Sequence, residues 1–184
     1  MKKDIKLYNV ILPTFMLFAF YPLMWIFSLV GNFIIDSIVL LLITVAIFKK
    51  LDFATYRKNI LLIWILGFTA DFIGALYLFI VYGLLRRHNE AIDTIWQNIQ
   101  SGVHQAFNLQ LYNFWGFIYM FSGILLAAIL IFVFDYAVFK IRTDFTKKQR
   151  VLAALSFALL TTPYTYFLPS ESFNWYFRLM TPFL

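Results

Sequence analysis

Three aspartates stand inside long apolar runs: Asp36 in GNFIIDS, Asp71 in GFTADFIGALYLF and Asp135 in FVFDYAVFK. An ionised carboxylate at the centre of a bilayer costs about 2.5–3.5 kcal/mol on insertion scales, so such a residue faces protein or a wet cavity. The chemistry open to a dehydrated carboxyl is narrow: it carries a proton, exchanges hydrogen bonds, or balances a cation.

Asp71 has the clearest setting. At about 100° per residue it shares a helix face with Trp64, Gly67, Gly74, Ala75 and Leu78. Gly67, Gly74 and Ala75 are small enough for a second helix to approach closely, so Asp71 is expected to point into a bundle. It would serve there as a proton- or cation-handling group, or as a hydrogen-bonded lock between two helices. Asp36 is expected about one turn below the outer end of the second apolar run, where the positive end of a helix dipole favours a carboxylate. Asn32, four residues earlier, shares its face. Asp135 lies just over one turn from Lys140 and is expected to snorkel toward the inner headgroups. The three acids thus read as outer, middle and inner rungs of a ladder able to relay protons or small cations.

The cluster Thr161-Thr162-Pro163-Tyr164 is a second candidate. Pro163 frees a carbonyl one turn earlier, and neighbouring hydroxyls re-satisfy such breaks. Unwound carbonyls also coordinate cations in transporters, so Thr161 and Thr162 stand either at a coupling site or at a simple kink. The fourth apolar run has a small face of its own at Gly116, Gly123 and Ala127, suited to helix contact.

Other chemistries are poorly supplied. There is no cysteine, which removes thiolate nucleophiles, disulfides and thiolate metal sites. The two histidines, His88 and His104, would point about 160° apart on a continuous helix. No zinc-protease, serine-hydrolase, dinucleotide or phosphate-loop motif is present. The sequence therefore predicts no metal, no cofactor and no enzyme.

These residues must be held by membrane-length elements. The chain has 184 residues, 62% of them hydrophobic, 21% aromatic and only 13% charged. A soluble domain carries about 25% charge, so lipid is the solvent this composition suits. A crossing helix needs roughly 20 apolar residues. Runs of that kind lie at about 9–30, 32–48, 59–85, 114–139 and 151–168. Gly31-Asn32 reads as a tight turn between the first two. The last run carries Pro163 and is a span or a re-entrant segment. The first, too long for a signal peptide and without a small-residue cleavage site, reads as a retained helix.

Basic residues set the orientation. Lys2, Lys3 and Lys6, then Lys49, Lys50, Arg57 and Lys58, then Lys140, Arg142, Lys147, Lys148 and Arg150 make twelve of the fifteen, and five spans put all of them on one side. By the positive-inside rule the N-terminus is cytoplasmic. The same rule accounts for the net charge of +6, so nucleic acid is not an expected partner. Between Arg86 and Asn113, Ile92, Ile95, Trp96, Ile99, Val103, Phe107 and Leu111 recur at helical spacing opposite an amide-rich face. This predicts an outer amphipathic helix over about 87–111. Trp175, Tyr176 and Arg178 give residues 170–184 the character of an interfacial tail.

The expectation is an all-α integral membrane protein of the plasma membrane: one multi-pass bundle of five (alternatively four) transmembrane helices with an outer amphipathic helix. Its surroundings are the lipid bilayer and either further copies of itself, as a homo-oligomer, or a partner membrane protein. The leading functional class is an oligomeric channel or transporter for protons or small cations. The alternative is a non-catalytic membrane subunit, such as a scaffold, sensor or immunity-type component, that acts through partners.

Overall fold

The computed structural model describes residues 22–85 and 114–167. The expected amphipathic helix at 87–111, the interfacial tail at 170–184 and the chain before Pro22 lie outside the described residues. Within them every element is helical. Helix α1 runs Pro22–Phe48, α2 Phe53–Leu85, α3 Phe114–Arg142 and α4 Lys147–Leu160, followed by a short 3-10 turn at Tyr164–Phe167.

Three segments are long and apolar enough to cross a membrane: Ser28–Phe48, Phe53–Val81 and Gly116–Arg142. The shortest has 21 residues, or roughly 31 Å at 1.5 Å per residue, about the thickness of a hydrocarbon core. Polarity is distributed as lipid requires. Ile34, Ile38 and Leu42 on α1, Leu61, Phe72 and Phe79 on α2, and Leu125, Ile129 and Val133 on α3 point outward and are exposed, while Asp36, Thr44, Asn59 and Asp135 are buried.

Three expected boundaries differ. No turn interrupts the chain at Gly31-Asn32, and α1 is continuous through it. Leaving the helix there would strand backbone groups where no water can reach them, whereas a glycine inside a helix costs only about 0.5–1 kcal/mol. Asn32 is needed for its side chain rather than for a turn, as shown below. The expected fifth run at 151–168 is not one helix either. Helix α4 has 14 residues and ends at Leu160, which at 1.5 Å per residue is about 21 Å and short of a full crossing. Pro163 is the cause, since it cannot donate the hydrogen bond that would continue the helix. Helix α2 starts at Phe53, earlier than the expected 59, because Asp52 caps it.

Helix α2 packs chiefly against α3 and then α1, while α4 fills the groove between α3 and α1. At the α2–α3 crossing, a Cβ built on Gly74 would lie 2.9 Å from the Gly123 carbonyl oxygen and 3.1 Å from the Ala127 Cβ. Leu78, fully buried, covers Gly123, and the Tyr119 hydroxyl donates to the Leu78 carbonyl across the same contact. Gly74, Gly123 and Ala127 are thus the closest point of the bundle. Ala75 is half-buried beside it.

The turns at 49–52 and 143–146 lie together at one end, which we call the basic end after Lys49, Lys50, Lys140, Arg142, Lys147 and Lys148. Rings close it: Phe145 stacks on Phe139 at 5.5 Å and meets Phe48 at 5.7 Å, and Phe157 lies 6.1 Å from Phe139. Lys49 ends α1 in a left-handed conformation, φ 59°, with its N–H on the Val45 carbonyl at 2.9 Å. The Asp52 carboxylate accepts from the Ala54 N–H at 3.2 Å and the Thr55 hydroxyl at 2.5 Å. The Thr55 hydrogen bond is the main reason its carboxyl is held below the usual carboxylate range. Helix α4 opens with a capping box, in which Thr146 N–H donates to Gln149 Oε1 at 2.8 Å and Gln149 N–H returns to Thr146 Oγ1 at 3.4 Å.

Candidate functional site

The inward face of α2 is written at four-residue spacing, with buried Asn59 and Ile63 followed by half-buried Gly67 and Asp71, joined by buried Ala70, Gly74 and Leu78. Side chains four apart stack on one face of a helix, so this stripe carries polar groups into the bundle at successive turns.

Asp71 faces α1, as its small neighbours predict. Its Oδ2 accepts from Asn32 Nδ2 at 2.9 Å. Its backbone carbonyl accepts from the buried Tyr166 hydroxyl at 2.5 Å, which ties the 3-10 turn after α4 to the same point. Its Oδ1 is sealed and has no hydrogen-bond partner among the described residues.

Asp36 is not near a helix end. With α1 running on through Gly31, it lies mid-helix and opposite Gly67, whose added Cβ would stand 3.6 Å from Asp36 Oδ2. The dipole argument for it therefore fails, because helix-end effects fade within the first turn. The depth order changes as well. Asn32 is level with Asp71 and Asp36 with Gly67, so Asp36 is one turn closer to the basic end than Asp71. The expected sequence of outer Asp36 and middle Asp71 is reversed.

Asp135 does not snorkel. It is 1% exposed, and neither carboxyl oxygen has a hydrogen-bond partner among the described residues. It shares its face of α3 with buried Ile131, Val138 and Phe139, which fixes it inward rather than toward Lys140. Asp36 stands against Gly67, one turn from Asp71 on α2, and the core that takes in Ile131 and Val138 beside Asp135 also takes in Val39 and Leu40 beside Asp36 on α1. The three acids therefore belong to one interior, with Asp36 as the middle member.

Thr161 and Thr162 do not join them. Their hydroxyls donate back along α4, Thr161 to the Phe157 carbonyl at 3.0 Å and Thr162 to that of Ala158. The Leu159 carbonyl, which Pro163 deprives of its N–H partner, accepts from the Tyr164 hydroxyl at 2.7 Å. Three hydroxyls thus repair the end of α4. Of the packing residues, Gly74, Gly123 and Ala127 make the α2–α3 contact, and Gly67 makes room for Asp36 instead.

Two members of the polar interior were not singled out from sequence. Asn59 is fully buried, its Nδ2 donates to the Thr55 carbonyl at 2.8 Å, and its Oδ1 has no partner among the described residues. Its place in the stripe of Ile63, Gly67 and Asp71 was a usable signal, hidden because it reads as a span boundary. Tyr166 reaches Asp71 across 95 residues, and no local pattern announces that. Elsewhere α1 and α2 are bound by Trp64 Nε1 donating to the Leu29 carbonyl at 2.9 Å and by Tyr56 donating to Ser37 Oγ at 3.1 Å.

The unpartnered oxygens have a common character. Asn59 Oδ1, Asp71 Oδ1 and both oxygens of Asp135 are acceptors, whereas the fifth unpartnered buried atom among the described residues, Arg150 Nε near the start of α4, is a donor. A buried acceptor left empty costs about 1–3 kcal/mol, and carboxyls that meet in low dielectric are not all ionised without a compensating positive charge. The interior therefore suits protons or cations and repels anions. No three acid or histidine side chains among the described residues converge as a metal site. No protein-family model, curated protein or solved structure matches the chain. Fold and site together give an all-α arrangement with, among the described residues, three membrane-length apolar helices around a buried set of carboxyl and amide groups.

Proposed function

We propose that this chain is a multi-pass protein of the plasma membrane that moves protons or small cations, working as a homo-oligomeric channel or transporter. The observation that carries this reading is the turning of Asp36, Asp71 and Asp135 into one bundle, where Asp71 Oδ1 and both Asp135 oxygens meet no hydrogen-bond donor among the described residues. In this reading Asp71, held by Asn32, is the outer group, Asp36 the middle one and Asp135 the inner one. The basic end faces the cytoplasm, by the positive-inside rule. The 14 residues of α4 argue against a fifth crossing, and α4 enters from the cytoplasmic side without crossing. A few helices rarely enclose a path alone, so a subunit interface supplies it.

The competing reading is a non-catalytic subunit, in which the acids only lock helices. The Asn32–Asp71 bond is the observation in its favour. Asp71→Asn separates the two, because an amide still bonds Asn32 but does not titrate. Reconstituted in liposomes with a pH or cation gradient across them, the wild type is expected to dissipate the gradient, and folded D71N is not. Equal flux from both proteins refutes a permeation role for Asp71.

A further inference from the structure

We propose that the basic end binds anionic phospholipid, with the Arg150 guanidinium gripping the phosphate. All nine lysines and arginines among the described residues stand within two turns of that end, against two carboxylates there, Asp52 and Asp144. Asp52 is taken up by its own cap, through the Ala54 N–H and the Thr55 hydroxyl. Positive charge therefore exceeds what these carboxylates neutralise. Arg150 differs from the lysines around it. Its backbone N–H bonds the Thr146 carbonyl at 3.0 Å, which sets it one turn beyond the bend at 143–146. It shares a face of α4 with Ala153, Ala154 and Phe157, all buried. The side chain is half-buried at the rim of the groove that α4 fills, and its Nε is sealed without an acceptor among the described residues. The stem is thus held, and the terminal nitrogens are the open edge of the guanidinium.

A planar guanidinium fork meets two phosphate oxygens at once, and a stem already held loses little freedom in doing so. The rim points to the carrier of that phosphate. Leu51, Phe53 and Ile141 stand among the cations and are 54%, 53% and 80% exposed. Phe48 of α1 meets Phe145 of the 143–146 bend at 5.7 Å, so the hairpin with Leu51 and the bend beside Ile141 form one surface. Helix α1 ends at Phe48, α2 begins at Phe53 and α3 ends at Arg142, which puts this surface at the edge of the hydrocarbon. Cations beside exposed apolar side chains match the boundary between headgroups and acyl chains. A free phosphate or a nucleic acid offers the apolar members nothing. Basic pockets at the ends of membrane helices hold anionic headgroups in this way.

Lipid binding is measured without a gradient, so it succeeds or fails apart from transport. The full-length protein in neutral detergent is given phosphatidylglycerol or phosphatidylcholine, and retained lipid is counted by native mass spectrometry. Wild type is expected to retain phosphatidylglycerol in preference. R150Q is expected to weaken that retention by about tenfold, and K148Q, at an exposed lysine, by about fivefold or less, the share of one surface charge. R150K, which keeps the charge and loses the fork, is expected to fall below wild type. Inorganic phosphate is expected to leave the lipid bound. No preference between the two lipids overturns the proposal. A loss in R150Q no larger than in K148Q, or wild-type retention by R150K, overturns the grip given to Arg150. Displacement by inorganic phosphate makes this a free-anion site and overturns the lipid assignment. Should R150Q not fold, R150K and the phosphate competition on the wild type decide the matter.

Discussion

Gly74→Ala tests the geometry that brings α2 and α3 together. The new Cβ would stand 2.9 Å from the Gly123 carbonyl oxygen and 3.1 Å from the Ala127 Cβ, where ordinary contact begins at 3.4 Å. Backbone cannot rotate aside, so the helices must separate by about half an ångström, enough to forfeit about a quarter of each neighbouring dispersion contact. Overpacking of this kind costs about 1–3 kcal/mol. Against it stands the gain of about 0.5–1 kcal/mol from removing a helical glycine. Gly31 and Gly83 supply the control, because a Cβ at either meets nothing within 4 Å among the described residues and keeps the gain alone. G74A should therefore be less stable than G31A by about 1–3 kcal/mol. G123A should fall with G74A, since its Cβ would meet the fully buried Leu78 Cγ at 2.5 Å. The assay is reversible unfolding in mixed detergent micelles, followed by circular dichroism. If G74A matches G31A, the crossing is not as close as described, and the inward placing of Asp71 one turn away loses its support.

Three further outcomes are expected. Y166F removes the donor to the Asp71 carbonyl and should lower stability in the same assay by about 1 kcal/mol, the worth of one hydrogen bond. T146A deletes the capping box of α4, costing about 0.5–2 kcal/mol and speeding amide exchange in its first turn. The Asp52 carboxyl is held below the usual carboxylate range, chiefly by the Thr55 hydroxyl, so its cap is intact above about pH 4 and is lost as pH falls through that lowered value. Amide exchange at Ala54 should accelerate on that acid limb in the wild type and show no such step in D52N.

Much of this arrangement could be read from residue order. Asp71 sits among Gly67, Gly74 and Ala75, and small residues beside an acid announce a protein-facing side. Gly123 and Ala127 announced their contact in the same way. Local rules misplaced Asp36, because Gly-Asn is a turn signal in water, whereas in an apolar run the backbone has nowhere else to bond and stays helical. Asp135 misled by its nearness to Lys140, since sequence distance does not reveal which face of α3 turns inward. Pro163 correctly marked a break, but the apolar residues beyond it suggested a longer rod than the proline permits. Partners 39 and 95 residues apart, Asn32 with Asp71 and Tyr166 with Asp71, depend on how the helices pair.

Lys49 closes α1 in a conformation that suits glycine, and a side chain there costs about 1–2 kcal/mol. A glycine would make the hairpin between α1 and α2 easier to form. It would also delete a cation whose backbone is pinned at the rim, one of the charges that tell the insertion machinery which way up to leave the chain. K49G is thus a substitution that folds more readily yet inserts less faithfully, and the share of upside-down molecules would reveal what that bend is for.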